Sequence, residues 1–235
     1  MNFPTRIMLS GLIVLVSGLS SPLSAETIAV IGTGNVGGAL GPRFSELGHG
    51  IVYGSREPHR ADVQALVART EGNAVAMLPA AAAAAADIVV MATKWADAEV
   101  ALRSLGDLSG KIILDPNNAV RVDDVGMRHM DVGTSTAQMI QSWAPHSMVV
   151  KAFNTLSSET MSNPEIAGGP VTIPICGNDA DAKAVIAGLV TGIGFEVVDM
   201  GDLLAAHVIE HMLIVRGNAG RLGSPFNYYF RPIPQ

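Results

Sequence analysis

Only one cysteine, Cys176, occurs in the 235 residues, so neither an intramolecular disulfide nor a cysteine-built metal cluster can form. Charge is sparse: 15% of residues are charged, with 15 Lys and Arg against 21 Asp and Glu, for a formal net charge of −6. No cluster of basic residues stands out, which excludes nucleic acid as a partner, since its phosphates are met by grouped Lys and Arg. The apolar runs fall short of the roughly 20 residues that a stable membrane span requires. What is abundant is small and apolar: 49% of residues are hydrophobic and 25 are glycine. This is the composition of a globular α/β protein, and the length suits a nucleotide-binding domain with a small companion. Cys176 ends an apolar run, residues 171–176, that reads as a strand, so its thiol is expected to be buried and inert.

At the N-terminus, Arg6 precedes an apolar stretch over residues 7–19, and Pro22-Leu23-Ser24-Ala25 then brings a small residue just before Glu26. The pattern resembles a secretory signal peptide, residues 1–25, cut after Ala25, and predicts an exported, periplasmic protein. An uncleaved membrane anchor, or a cytoplasmic chain with a misassigned start, is the competing reading. Arg6 is the one basic residue ahead of Ile7, so a twin-arginine route for a folded, cofactor-loaded chain is not indicated.

From Glu26 onward, short apolar runs alternate with helical patterns. Strands are predicted at residues 26–31, 49–53, 74–77, 88–92, 111–114 and 148–152. Helices are predicted from the glycine turn to Leu47, over 58–69, ending near Ala86, over 96–105 and over 137–143. Residues 115–133 read as loop. Such alternation implies an α/β, Rossmann-type, doubly wound parallel sheet over residues 26–155. A small C-terminal α/β unit, residues 156–235, follows with strands at 171–176 and 195–198 and helices at 180–190 and 203–215. Pro42 falls inside the first long helix, where it removes a backbone donor, and a kink is expected there.

The first strand runs directly into Gly32-Thr33-Gly34-Asn35-Val36-Gly37, which opens a helix. In that setting Gly32 permits the tight turn, Gly34 admits the pyrophosphate to the backbone, and Gly37 lets helix and strand pack closely. About 20 residues on, where NAD-binding domains place a carboxylate for the ribose 2′-hydroxyl, this chain has Gly54-Ser55-Arg56. A guanidinium pairs with a 2′-phosphate in fork geometry and lies against the adenine, and Ser55 adds a hydroxyl donor, so NADP(H) is the expected cofactor. The competing role for Arg56 is a local ion pair with the adjacent Glu57.

These residues, with Val90-Met91-Ala92-Thr93-Lys94-Trp95, Lys111 to Asp115, Val150-Lys151-Ala152-Phe153-Asn154-Thr155, Gly194-Phe195-Glu196 and Asp199-Met200-Gly201, occur in one order along the chain. So arranged, the sequence resembles the deazaflavin-dependent NADP oxidoreductases, the NADPH:coenzyme F-420 reductases, and also the cytosolic domain of the six-transmembrane metalloreductases. The resemblance covers residues 28–215, and Lys-Ala-Phe-Asn is its most specific piece. It implies that Ala92, Thr93, Lys94 and Trp95 pass the nicotinamide, and that Ala152, Phe153 and Asn154 shape the site where an acceptor ring stacks. Asn117, with Asn118, matches in part the stretch that meets the nicotinamide ribose. Where the family usually has an Arg ahead of Glu210, this chain has His207.

The expected activity is NADPH-dependent hydride transfer to a small-molecule acceptor, a flavin or deazaflavin acting as second substrate. That chemistry needs two flat rings in contact with water excluded, and no nucleophile. If the acceptor is a small carbonyl or imine, a proton donor is needed, and Lys94, Lys151 and His207 are the candidates. A non-catalytic NADPH-binding sensor is the competing class. His207-Val208-Ile209-Glu210-His211 spells the H-x-x-E-H zinc signature, but residues 212–235 hold no Asp, Glu, His or Cys to complete a ligand set, so no metal is expected. The aromatic cluster Phe226, Tyr228, Tyr229 and Phe230 is expected either over the acceptor pocket or in a homodimer interface.

Overall fold

In the central strands, successive residues are apolar on both faces, as a sheet covered by helices on each side requires. Ile28 and Val30 of the first strand join one core with Phe44, Phe153 and Ile186, while Ala29 and Ile31 join the other with Leu102, Ile140 and Ile209. The computed structural model describes residues 25–72, 74–231 and 233, so the expected signal segment lies outside the described residues apart from Ala25.

The glycine turn sits between β1 (Thr27–Ile31) and α1 (Asn35–Glu46); β2 (Gly50–Gly54), α2 (Ala61–Arg69), β3 (Val75–Met77) and α3 (Pro79–Ala84) follow. Next come β4 (Ile88–Met91), α4 (Trp95–Arg103), β5 (Ile112–Asp115), a hairpin of β6 (Val120–Val122) and β7 (Arg128–Met130), α5 (Thr136–Trp143) and β8 (Met148–Lys151). The chain ends with α6 (Ser158–Ser162), β9 (Thr172–Gly177), α7 (Ala180–Gly192), β10 (Glu196–Asp199) and α8 (Ala206–Arg221). The main sheet has the order β10-β9-β8-β5-β4-β1-β2-β3. Its strands run parallel except where β9 meets β8 antiparallel, with Lys151 opposite Cys176. Strand order reverses between β1 and β4, and in such sheets ligands bind at the carboxyl ends of the strands flanking that point.

The expected doubly wound α/β sheet is the observed one. The C-terminal segment extends that same sheet through β9 and β10. The 115–133 stretch, read as loop, contains the β6–β7 hairpin, whose strands of three residues are too short for an apolar period to register. Helix α8 continues past Val215 to Arg221, and its end is tied to the hairpin by Arg128 N donating to Asn218 Oδ1 at 2.7 Å and Arg128 Nη1 to Gly217 O at 2.9 Å.

α1 runs through Pro42, which leaves the Gly38 carbonyl without its helical donor. The Arg69 guanidinium donates to that carbonyl at 3.1 Å. Gly41 of the same helix lies against the phenol of Tyr53, which hydrogen-bonds to Thr70 Oγ1 at 2.7 Å, and a Cβ at Gly41 would overlap the Tyr53 hydroxyl. The aromatic tail packs on its own chain: Thr172 N donates to Tyr228 O at 2.8 Å, and Tyr228 OH to Met212 O at 2.8 Å. Among the described residues no helix is long and apolar enough to cross a membrane.

Candidate active site

The three glycines of the turn meet three different environments. Gly32 has φ +110°, and a Cβ on it would lie 2.5 Å from the carbonyl oxygen of Ala92, so the turn closes against the end of β4. A Cβ on Gly37 would overlap the Gly32 carbonyl oxygen and stand 2.9 Å from Val30 Cγ1, which makes this the close contact between helix and strand. Gly34, the residue that caps α1, has nothing within 4 Å of an added Cβ. The space over it is open, no side chain caps the helix, and no acid occupies its first turn. Unpaired N–H groups and the positive end of the helix dipole therefore face that space, as a pyrophosphate requires.

A cleft of about 500 Å³ extends from Gly32, Thr33 and Gly34 to Gly54, Ser55 and Arg56 on one side and Ala92, Thr93 and Lys94 on the other. Ser55 is buried, and its Oγ accepts from Glu57 N at 3.2 Å, which leaves its proton free to donate. The ion pairs among the described residues do not include Arg56, so the local pairing with Glu57 is not formed. Arg60 lines the same cleft, its Nε 2.5 Å from Asp62 Oδ1. The apolar pattern puts Arg60 inside a helix over 58–69, where nothing marks it as a cleft residue. In fact α2 begins at Ala61, and Arg60 caps it from the preceding turn.

Thr93 Oγ1 is buried and has no hydrogen-bond partner among the described residues, and the same holds for Asn154 Oδ1 and Thr155 Oγ1 beyond the end of β8. Buried polar atoms are rarely left so, and these lie past the carboxyl ends of β4 and β8, where a bound ligand's polar groups would satisfy them. The open space at Gly34, the cations beside Ser55 and the orphaned Thr93 hydroxyl lie on one cleft and fit a phosphorylated dinucleotide. Asn35 and Val36 begin α1, and Asn35 lines a second hollow on the other side of the turn together with Arg69 and Ser158.

Several expected site residues stand elsewhere. Lys151 is completely buried and cannot serve as a proton donor in the cleft. Its ammonium meets Asp115 Oδ2 at 2.9 Å, Glu210 Oε1 at 2.8 Å, Thr136 Oγ1 at 2.7 Å and Asn117 O at 2.5 Å, more partners than it has protons. Phe153 has φ 65°, and its ring is buried in the core against Phe44 and Phe195 with centroids 6.1 and 6.4 Å away. Ala152 is fully buried beside it. Trp95 lies on Trp143 at 5.5 Å and packs into the core instead of lining the cleft. Asn117 is committed within the protein, its amide donating to Met91 O at 2.7 Å and Asp115 Oδ1 at 3.0 Å.

Asn154 donates to Asn118 Oδ1 and to Ile209 O, at 3.0 and 3.2 Å, and so ties β8 to α8. His207 is half-buried, with Nδ1 2.9 Å from Thr134 O and its ring 4.4 Å from that of His211. Glu210 points away from both histidines: it accepts from Thr136 N at 2.9 Å, at the start of α5, and pairs with Lys151. The H-x-x-E-H spelling is thus split between a buried ion-pair network and an outer histidine pair, which cannot share one metal ion.

A profile of the family described as NADP oxidoreductase, coenzyme F-420-dependent, matches residues 27–119. A crystal structure of a candidate F-420-dependent NADP reductase from Arthrobacter sp. FB24 superposes with a TM-score of 0.78 at 32% identity, over 88% of this chain and 100% of that one. The chain belongs to the coenzyme F-420-dependent NADP oxidoreductase family. The family is one of NADP-dependent oxidoreductases, so NADP(H) is the dinucleotide that its members use. Metalloreductase STEAP3 of Rattus norvegicus is 28% identical over 197 residues, 80% of this chain, and the chain spans 36% of that protein's length. A reductive aminase from Aspergillus terreus, solved with NADPH and ethyl-5-oxohexanoate, shares the fold at 20% identity and TM-score 0.62, over 85% of this chain and 64% of that one.

Proposed function

We propose that this family member transfers a hydride between NADP(H) and a flat flavin- or deazaflavin-like small molecule. The observation that carries the cofactor side is the cleft in which open Gly34, Ser55 and unpaired Arg56 line one continuous wall. NADP(H) supplies or accepts the hydride when bound. The protein's own residues do the rest: Gly32 to Gly37 and the start of α1 hold pyrophosphate, Ser55, Arg56 and Arg60 hold the 2′-phosphate, and Thr93 with Lys94 borders the path toward β8. Positioning two rings and excluding water supplies most of the rate in such a transfer, which accords with a site built from backbone ends and orphaned polar atoms. For an acceptor that needs a proton, Lys94, exposed on the cleft wall, is one remaining donor, and the other is His207, which with Nδ1–H on Thr134 O has a proton to give from Nε2 only as the imidazolium.

The test is calorimetric titration of the protein and of Arg56→Ala with NADPH and NADH. The expected loss for NADPH in the variant is roughly 1.5–3 kcal/mol, with NADH weak in both proteins. Equal affinity for the two nucleotides overturns the phosphate assignment. The leader-like residues 1–25 lead us to include export to the periplasm in the proposal, with N-terminal sequencing of the fractionated protein as its check; a start at Met1 in a cytoplasmic fraction overturns it.

A further inference from the structure

Away from the dinucleotide cleft, three arginines converge on a cavity of about 380 Å³ between the β6–β7 hairpin and the last two turns of α8. Arg128 comes from β7, and Arg216 and Arg221 from α8. Each is anchored by neutral acceptors: Arg128 Nη1 donates to Gly217 O at 2.9 Å, Arg216 Nε to Phe226 O at 3.0 Å, and Arg221 Nε to Val125 O at 3.0 Å. Among the described residues no acidic side chain lines the cavity, and the ion pairs include none of the three. Three like charges are thus held together in a chain whose formal net charge is −6.

The backbone is shaped to allow this. A Cβ on Gly126, at φ +83°, would lie 2.5 Å from Arg221 Nε, and one on Gly217 would lie 2.8 Å from Arg128 Cδ. Both glycines let a guanidinium lie flat on the chain. Burial, and after it the neighbouring Arg128 charge, pull the Arg216 guanidinium below its ordinary value, against an opposing pull from Tyr228. Phe226, 37% exposed, forms an apolar wall beside them.

We propose that this cavity is a second anion site, for a small molecule carrying at least two carboxylate or phosphate charges and an apolar part that lies on Phe226. Guanidinium groups with some N–H donors fixed on carbonyls keep the others free for bidentate pairing with such oxyanions. The charges can belong to a free metabolite or to the anionic tail of the electron acceptor; the chemistry recognised is the same.

The experiment is calorimetric titration of the full chain with pyrophosphate and citrate at constant ionic strength, using acetate as the monovalent control. It is repeated on Arg128→Gln, Arg216→Gln and Arg56→Ala. Saturable binding of the polyanions is expected, at least about tenfold tighter than acetate, falling about tenfold in the Arg128 and Arg216 variants and persisting in Arg56→Ala. Loss only in Arg56→Ala assigns the binding to the dinucleotide cleft and overturns the proposal, as does acetate binding equal to the polyanions. If a Gln variant fails to fold, Arg216→Lys keeps the charge without the fork, and unchanged polyanion affinity there counts against the site. The two sources separate in turnover: competition by citrate against an anionic acceptor but not against a neutral one marks an acceptor tail, and binding without competition marks a free metabolite. The readout does not depend on NADPH binding, so it stands or falls apart from the reductase reading.

Discussion

Lys151, Asp115 and Glu210 share one dry site, with the two carboxylates bound to a single ammonium and to Thr136. Removing one partner of such a group strands charge in a low dielectric, which is a far larger effect than the net worth of the pair. Lys151→Met is therefore expected to lower unfolding free energy by about 3–5 kcal/mol, read as a shift in urea midpoint. An unchanged midpoint with weakened NADPH binding would instead make Lys151 a ligand residue. The turn glycines give a contrast at the same scale. Gly34→Ala meets open space and should keep stability within about 1 kcal/mol while weakening NADPH binding. Gly37→Ala collides with the Gly32 carbonyl and should destabilise the protein even without nucleotide, by about 1–3 kcal/mol. Thermal melts with and without NADPH distinguish the two.

At the scale of elements, α1 shows how a helix poor in helix formers holds together. Its glycines suit close neighbours, and its proline leaves one carbonyl that Arg69 of α2 satisfies. Arg69→Ala should cost about 1 kcal/mol, the net value of a hydrogen bond at a partly exposed site. That cost should shrink in a Pro42→Ala background, where residue 42 regains an N–H for the Gly38 carbonyl. Additive costs in the double-mutant cycle would mean that Arg69 acts on something other than this carbonyl. The period of apolar residues predicted α1 and most strands, but it was silent on the β6–β7 hairpin and ended α8 too early. The reason is the same in both places: short polar strands and a glycine-bearing helix end are held by contacts with each other, through Arg128, Gly217 and Asn218, whose amide donates to Arg128 O at 3.0 Å.

At the scale of the molecule, Cys176 reports on the sheet as a whole. It lies on β9 opposite Lys151 of β8, where the parallel sheet turns antiparallel, and burial pushes its thiol up to about 12. A thiol so protonated and enclosed should resist alkylation at pH 8, and its labelling should follow global unfolding, with the same urea midpoint as circular dichroism. Labelling well below that midpoint would show that the β8–β9 seam opens on its own. The seam also bears on the site, because Asn154, just past the end of β8, donates to Ile209 O of α8 at 3.2 Å.

By itself the sequence determined the alternating α/β order, the glycine turn, the absence of an acid at the 2′ position and the presence of Ser55 and Arg56 there, and the buried thiol. All of these are properties of residue type and local spacing, since φ freedom, charge and period act within a few positions along the chain. Tertiary structure decided that Lys151 is a buried ion-pair centre, that the Phe153 ring turns inward, that Glu210 parts from His207 and His211, and that Arg128 meets Arg216 and Arg221. Each depends on which side chains from distant segments share a space, and burial and pairing, not residue type, set what a charged or aromatic group then does.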